Sequence, residues 1–169
     1  MAPAYKRYFV HNATVFLTLV TAGRQYVFGE PARVKSAFET LKKVRSIHPF
    51  KMKAWVMMPD HLHLLIHVVD GHFDRIVQSF KRNVSLEFHR LNIWEGEVWQ
   101  KRFYDHVIRN DEDFGNHLDY IHFNPVHHGL AHRPADYAFS SFDHYIRSGW
   151  YDPNWGKTIP NHIKHMKLE

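Results

Sequence analysis

The sequence predicts an α+β fold, a ferredoxin-like split βαβ unit whose helices pack on one face of an antiparallel sheet, followed by a further helix and an irregular C-terminal tail. Three observations predict it. Strand-like and helix-like apolar patterns alternate in the order β-α-β-β-α-β-α, a Pro59-Asp60 pair separates two adjacent strand patterns, and no repeat or low-complexity tract argues for another architecture. At 169 residues the chain has the length of one ordinary domain and can bury a core without disulfides or metal staples.

Each element follows from local chemistry. Residues 8–21 are rich in β-branched and aromatic side chains and read as a strand interrupted near His11 to Ala13. Pro31 sits where a first helical residue belongs, and Val34, Ala37, Phe38, Leu41 and Val44 then recur at helical spacing. Residues 51–58 and 61–69 are two apolar runs with a tight connection between them. Phe73, Ile76, Val77, Phe80, Val84 and Leu91 mark a second amphipathic helix, and residues 98–108 resume a strand pattern. Asn110 to Asp113 supply a cap and an acidic first turn for a third helix over about 111–124. The resulting division is 1–130 as the main domain and 131–169 as an extension rich in proline and aromatics, with Pro134, Tyr137, Trp150, Tyr151, Pro153, Trp155 and Pro160.

Composition narrows the function. Lys and Arg number 22 against 17 Asp and Glu, a formal +5, and 16 histidines add positive charge at mildly acidic pH, so an anionic partner is expected. With no cysteine, a disulfide framework, a thiolate zinc site and a cysteine nucleophile are all excluded. The first apolar run is broken by His11, Asn12 and Thr14 without a cleavage-site pattern, and no stretch approaches the roughly 18 apolar residues of a membrane span. A soluble, cytoplasmic, nucleoid-associated protein without membrane contact is the expectation.

Two stretches carry chemistry. In Asp60-His61-Leu62-His63, strand alternation puts His61 and His63 on one face with Cβ atoms about 7 Å apart, close enough to share a cation. In Tyr120-Ile121-His122-Phe123-Asn124-Pro125, helical spacing puts Tyr120 and Asn124 one turn apart on one face, although Pro125 disfavours helical geometry at Asn124. Each stretch alone also fits an ordinary role: histidines hydrogen-bonded on a half-buried strand, and a core tyrosine ahead of a helix stop.

Together they resemble a known family. His61-Leu62-His63 is similar to the His-hydrophobic-His motif of HUH endonucleases, and Tyr120 with Asn124 resembles the catalytic helix of single-tyrosine transposases. Trp99-Gln100-Lys101-Arg102-Phe103-Tyr104-Asp105-His106-Val107-Ile108 and Tyr120-Ile121-His122-Phe123-Asn124-Pro125-Val126 look like the REP-associated tyrosine transposases, over about residues 5–145. The resemblance implies that His61, His63 and Asn124 hold Mg²⁺ or Mn²⁺ and that Tyr120 attacks single-stranded DNA at a repeat-type hairpin, leaving a 5′-phosphotyrosine and a free 3′-OH. A phenol with a pKa near 10 is only about 0.1% ionised at pH 7, a deficit of roughly 4 kcal/mol. A cation that polarises the scissile phosphate supplies several kcal/mol toward it. The covalent ester conserves bond energy for rejoining, consistent with the lack of a P-loop glycine pattern.

For DNA contacts the interval 33–53 holds Arg33, Lys35, Lys42, Lys43, Arg45, Lys51 and Lys53 against one acid, Glu39; Arg82, Lys101 and Arg102 are further candidates. His67 reads as structural or supporting, His127 and His128 as helix-end residues near phosphate, and Glu87 as an extra carboxylate to watch. Two rival classes remain: a non-catalytic ferredoxin-like nucleic-acid-binding module, and a metal phosphodiesterase without a covalent step. Monomer and homodimer are equally compatible with the sequence.

Overall fold

Asn12 adopts φ 53°, a left-handed conformation that asparagine tolerates, and the first strand starts only after it. This computed structural model describes residues 7–168. Strand β1 spans Ala13–Val20, helix α1 Pro31–Ile47, β2 Lys51–Met57, β3 His61–Val68, α2 Phe73–Arg90, β4 Tyr104–Val107 and α3 Asp111–His127. A short helix, α4, follows at Phe142–Arg147.

The sheet order is β2-β3-β1-β4 and every neighbouring pair is antiparallel. Each βαβ crossover is therefore split by a strand from the other, as the split plan requires. Because side chains alternate along a strand, the sheet builds two cores. Val15, Leu17, Leu19, Leu62, Leu64 and Ile66 meet α1 and α2 on one face, whereas Phe16, Val56 and Leu65 meet Leu118, Ile121 and Phe123 of α3 on the other. The histidines of β3 belong to that second face.

Two further elements differ from their sequence patterns by more than a residue at one end. Trp99 forms an isolated bridge to Thr21, flanked by Ala22 N donating to Val98 O and Gln100 N to Val20 O, before the chain leaves the sheet and returns as the four-residue β4. Helix α3 runs past Pro125 to His127, because a proline so close to the C-terminal end removes a single intrahelical N–H. The tail is aromatic-anchored. Tyr137 Oη donates to the Met57 carbonyl and Tyr145 Oη to the Lys53 carbonyl, each at 2.7 Å, and Met57 N donates to the Phe139 carbonyl at 2.9 Å. The segment thus covers the outer edge of β2, which otherwise presents unpaired backbone groups. Tyr151 is buried and Trp155 packs 4.6 Å from it, whereas Trp150 stays exposed and meets the Tyr145 ring edge-on at 6.0 Å.

Candidate active site between strand β3 and helix α3

Cross-strand register decides what the histidines of β3 touch. Strand β1 places Val20, Thr18 and Thr14 directly opposite His61, His63 and His67. Thr18 Oγ1 lies 2.9 Å from His63 Nδ1, and Thr14 Oγ1 lies 3.2 Å from His67 Nδ1. His61 and His63 are buried, with ring centres 4.9 Å apart. His67 sits at the far end of the strand, its Nε2 3.2 Å from Asn12 Oδ1, and plays no part in the cluster.

Helix α3 brings the other half. Its N-cap, Asn110, accepts from Asp113 N at 2.8 Å and fixes where the helix begins. From that start Tyr120 and Asn124 face β3. The Tyr120 ring lies 5.3 Å from the His63 ring and 6.1 Å edge-on from Phe16, and Asn124 Oδ1 lies 3.0 Å from His61 Nε2. The four residues singled out by spacing, His61, His63, Tyr120 and Asn124, therefore converge.

The His61–Asn124 contact tests whether these side chains suit a cation. His61 Nδ1 donates to Asp60 Oδ1 at 2.6 Å, so in the neutral ring Nε2 carries a lone pair. That lone pair faces the amide oxygen, another acceptor. Two ligand atoms at 2.1 Å from one octahedral cation, at right angles, are about 3.0 Å apart, so the pair is spaced for Mg²⁺-like coordination. Asp60 supports the arrangement: burial raises its pKa, but the His61 contact and Arg24, 3.1 Å away, outweigh that and hold its carboxyl below the usual range. A carboxylate behind a ligating histidine fixes its tautomer and increases its basicity.

The surroundings of the cluster are mixed. Phe16 stacks on His63 at 5.3 Å, and the His128 ring lies 5.1 Å from that of His61. A small cavity of about 20 Å³ beside the tyrosine is lined by Tyr120, Asn124 and His127 together with tail residues Ile163, Lys164 and Met166. On the other side, a cavity of about 410 Å³ is lined by Arg7, Thr18, Arg102, Phe103 and Tyr104. Arg102 thus shares a cavity with Thr18, the cross-strand neighbour of His63. Lys101 and Arg82 line a separate hollow of about 520 Å³ against α2.

The basic interval 33–53 lies elsewhere. Helix α1 covers the sheet face opposite the histidines, where Lys35, Lys42, Lys43 and Arg45 are exposed, and exposed Lys51 and Lys53 sit on the edge strand β2. Arg33 is held inward: it donates to the Val27 carbonyl at 3.3 Å, pairs with Glu30 at 2.9 Å and lies 5.3 Å from the Trp94 ring. Lys42 pairs with Glu39 at 2.8 Å. Glu87, on α2, is paired with Arg90 at 2.9 Å and is remote from the histidine face.

Sequence reasoning missed three contributors. Asp60 was adjacent in sequence and could have been weighed as the carboxylate behind His61. Thr18 depends on strand register and left no local signal. The third is a cluster in which His106 of β4 and Asp113 and His117 of α3 offer ligand atoms within 4.8 Å of one another. There Asp113 Oδ2 accepts from His106 Nε2 at 2.8 Å and from Arg109 N and Nε at 2.9 and 3.3 Å, while His117 Nδ1 donates to the Asp113 carbonyl at 2.8 Å. Burial raises the Asp113 pKa, yet His106 and Arg109 together bring it down to about 2. With its carboxylate already claimed by a guanidinium, this trio braces α3 against β4.

Comparison with known proteins gives the family of the chain. Residues 9–124 match the family model described as transposase IS200 like. The chain is 32% identical over 158 residues to the REP-associated tyrosine transposase of Escherichia coli K12, covering 92% of each, and 33% identical over 165 residues to a relative in Haemophilus influenzae Rd, covering 90% of this chain and 92% of that one. A solved REP-associated tyrosine transposase bound to a REP hairpin superposes with a TM-score of 0.81 at 28% identity, covering 97% of this chain and 98% of that one. The paired histidines facing a helical tyrosine and its amide thus sit on a chain that belongs to the IS200-like transposase family and, within it, to the REP-associated tyrosine transposases.

Proposed function

We propose that this protein is a metal-dependent single-stranded DNA endonuclease and strand transferase that cuts at hairpin DNA of the REP type through a covalent tyrosine intermediate. The observation that carries the reading is the meeting of His61 Nε2 and Asn124 Oδ1 at 3.0 Å beside the Tyr120–His63 ring contact. His61, His63 and Asn124 would hold Mg²⁺ or Mn²⁺; such a cation, when bound, polarises the scissile phosphate and offsets charge on its non-bridging oxygens. The all-nitrogen-and-oxygen donor set, with an amide in place of a thiolate, favours these hard ions over a structural zinc.

Tyr120 attacks phosphorus. Its phenolic oxygen forms the new P–O bond as the bond to the 3′ oxygen breaks, the phenol gives up its proton, and the departing oxygen takes one up. The products are a 5′-phosphotyrosine and a free 3′-OH, and attack by a 3′-OH reverses the step and rejoins a strand without ATP. The packing of Tyr120 against Phe16 and His63 restricts where the ring can turn, which favours a defined line of attack.

Hairpin DNA is assigned as substrate because the homologous structure holds a REP hairpin. Arg102, Lys101 and Arg82 are proposed to contact phosphates near the site, and Lys42, Lys43, Arg45, Lys51 and Lys53 to contact DNA that passes the β2 edge. Arg33, bound to Glu30 and the Val27 carbonyl, contributes mainly by holding α1. No described helix is long and apolar enough to cross a membrane, and a cytoplasmic, nucleoid-associated site of action follows from the DNA substrate.

The test is incubation of a labelled single-stranded hairpin with the protein and Mn²⁺, followed by a denaturing gel. A protein–DNA adduct with a 5′ linkage, absent from Tyr120→Phe, is expected. Cleavage that persists in Tyr120→Phe without an adduct would establish the phosphodiesterase class instead, and binding without cleavage the non-catalytic module.

A further inference from the structure

Thr18 makes two hydrogen bonds that cannot be assigned independently. Its Oγ1 lies 2.6 Å from the Leu168 carbonyl oxygen and 2.9 Å from His63 Nδ1. A threonine hydroxyl carries one proton, and a carbonyl oxygen can only accept. The proton therefore points to Leu168, the threonine oxygen faces the imidazole as an acceptor, and Nδ1 must donate to it. In the neutral ring this leaves the lone pair on Nε2.

We propose that Thr18 is a positioning residue that fixes the His63 tautomer for cation binding, using a main-chain carbonyl of the tail to orient its own hydroxyl. The proposal rests on the reading of His63 as a cation ligand. The two histidines are then prepared by different means: a carboxylate, Asp60, sets His61, and a hydroxyl relay from Leu168 through Thr18 sets His63. Both leave Nε2 as the ligating nitrogen, and both rings are buried.

The third histidine of the strand supplies a contrast. Thr14 stands opposite His67 in the same register, with Oγ1 3.2 Å from Nδ1, but His67 is outside the cluster. A threonine opposite a histidine is thus a recurrent cross-strand pairing here, and only the pair at Thr18 connects to the proposed ligands.

The experiment combines nitrogen-15 NMR of the histidine rings in metal-free protein with Mn²⁺ titration by calorimetry. Wild type and Thr18→Ser should show His63 with its proton on Nδ1. Thr18→Val, which keeps the side-chain shape, should move that proton toward Nε2 and weaken Mn²⁺ binding 10- to 100-fold, the usual effect of losing a group that orients a ligand. Thr14→Val should leave Mn²⁺ affinity unchanged. A His63 proton on Nε2 in wild type, or an unaltered tautomer and affinity in folded Thr18→Val, overturns the role of Thr18. His63→Ala tests the underlying reading: unchanged Mn²⁺ affinity in that variant overturns both, whereas a loss there with none in Thr18→Val overturns the positioning role alone.

Discussion

At the scale of single residues, His122 shows what full burial does to an imidazole. It sits among Phe142, Tyr145 and Tyr151 with Nε2 2.8 Å from Ser141 Oγ, and burial pushes its pKa down to about 3. Unfolding restores a group that titrates near 6.5, so the unfolded chain takes up a proton that the folded one refuses. Stability is complete above pH 6.5 and falls as pH drops toward 3, by about 1.4 kcal/mol per unit from this residue. Urea midpoints of His122→Gln, which retains a donor toward Ser141, should decline less steeply than wild type between pH 6 and 4.5. An equal decline would place the acid sensitivity elsewhere. A second prediction concerns Asp60: Asp60→Asn should weaken Mn²⁺ binding about 10-fold or more while leaving hairpin affinity intact, as read by calorimetry and by gel shift. The spacing in His61-Leu62-His63 and Tyr120 to Asn124 made these four residues legible, because strand and helix periods fix side-chain direction. The parts played by Thr18 and His117 were not legible, because each depends on a strand register or a helix–strand contact set by distant residues.

At the scale of elements, α3 is held at its first turn. Asn110 caps it, and Asp113 ties it to β4 through His106 and Arg109. Asn110→Ala should lower stability by about 1 kcal/mol in urea denaturation. Asp113→Ala, which releases the partners of a carboxylate held near pKa 2, should cost about 2 kcal/mol at neutral pH, and this contribution should vanish as pH falls from 3.8 through 2. Because Tyr120 is carried by the same helix, adduct formation should fall in Asp113→Ala more than hairpin binding does. Pattern alone identified all four strands and α1 to α3, but the tail read as irregular contains the short helix α4, and the remaining errors were at element ends. Residues 98–108 read as one strand, but lateral pairing with β1 lapses between Gln100 and Tyr104, which apolar composition does not encode. Pro125 argued for a stop that the helix does not make, since the cost of one missing N–H near its C-terminus is small beside the burial of Pro125 itself and the packing of Val126 on the second core.

At the scale of the whole molecule, the sheet separates chemistry from much of the charge. The histidines face α3, and the basic side chains of α1 face away from them. If DNA engages both surfaces, Lys42→Ala/Lys43→Ala should weaken hairpin binding to a similar degree for every sequence and flatten the slope of log K against log[salt] by about 2, with adduct chemistry on bound DNA unchanged. An unaltered slope would return α1 to a solvated face and leave Arg102 and its neighbours as the main phosphate contacts. The interlaced strand order has another consequence, for protein synthesis. The histidine pair needs β1 as its neighbour, and the tyrosine arrives only with α3, after the last strand of the sheet. A ribosome that stalls before residue 111, or a protease that removes α3, leaves a product with the two histidines and the basic surface but neither the nucleophile nor Asn124. A fragment without β1 has the nucleophile but no central strand to seat the histidines. On the proposed chemistry, neither fragment can nick a chromosome, so translation interrupted before α3, or cleavage that removes β1 or α3, is safe for the cell's DNA.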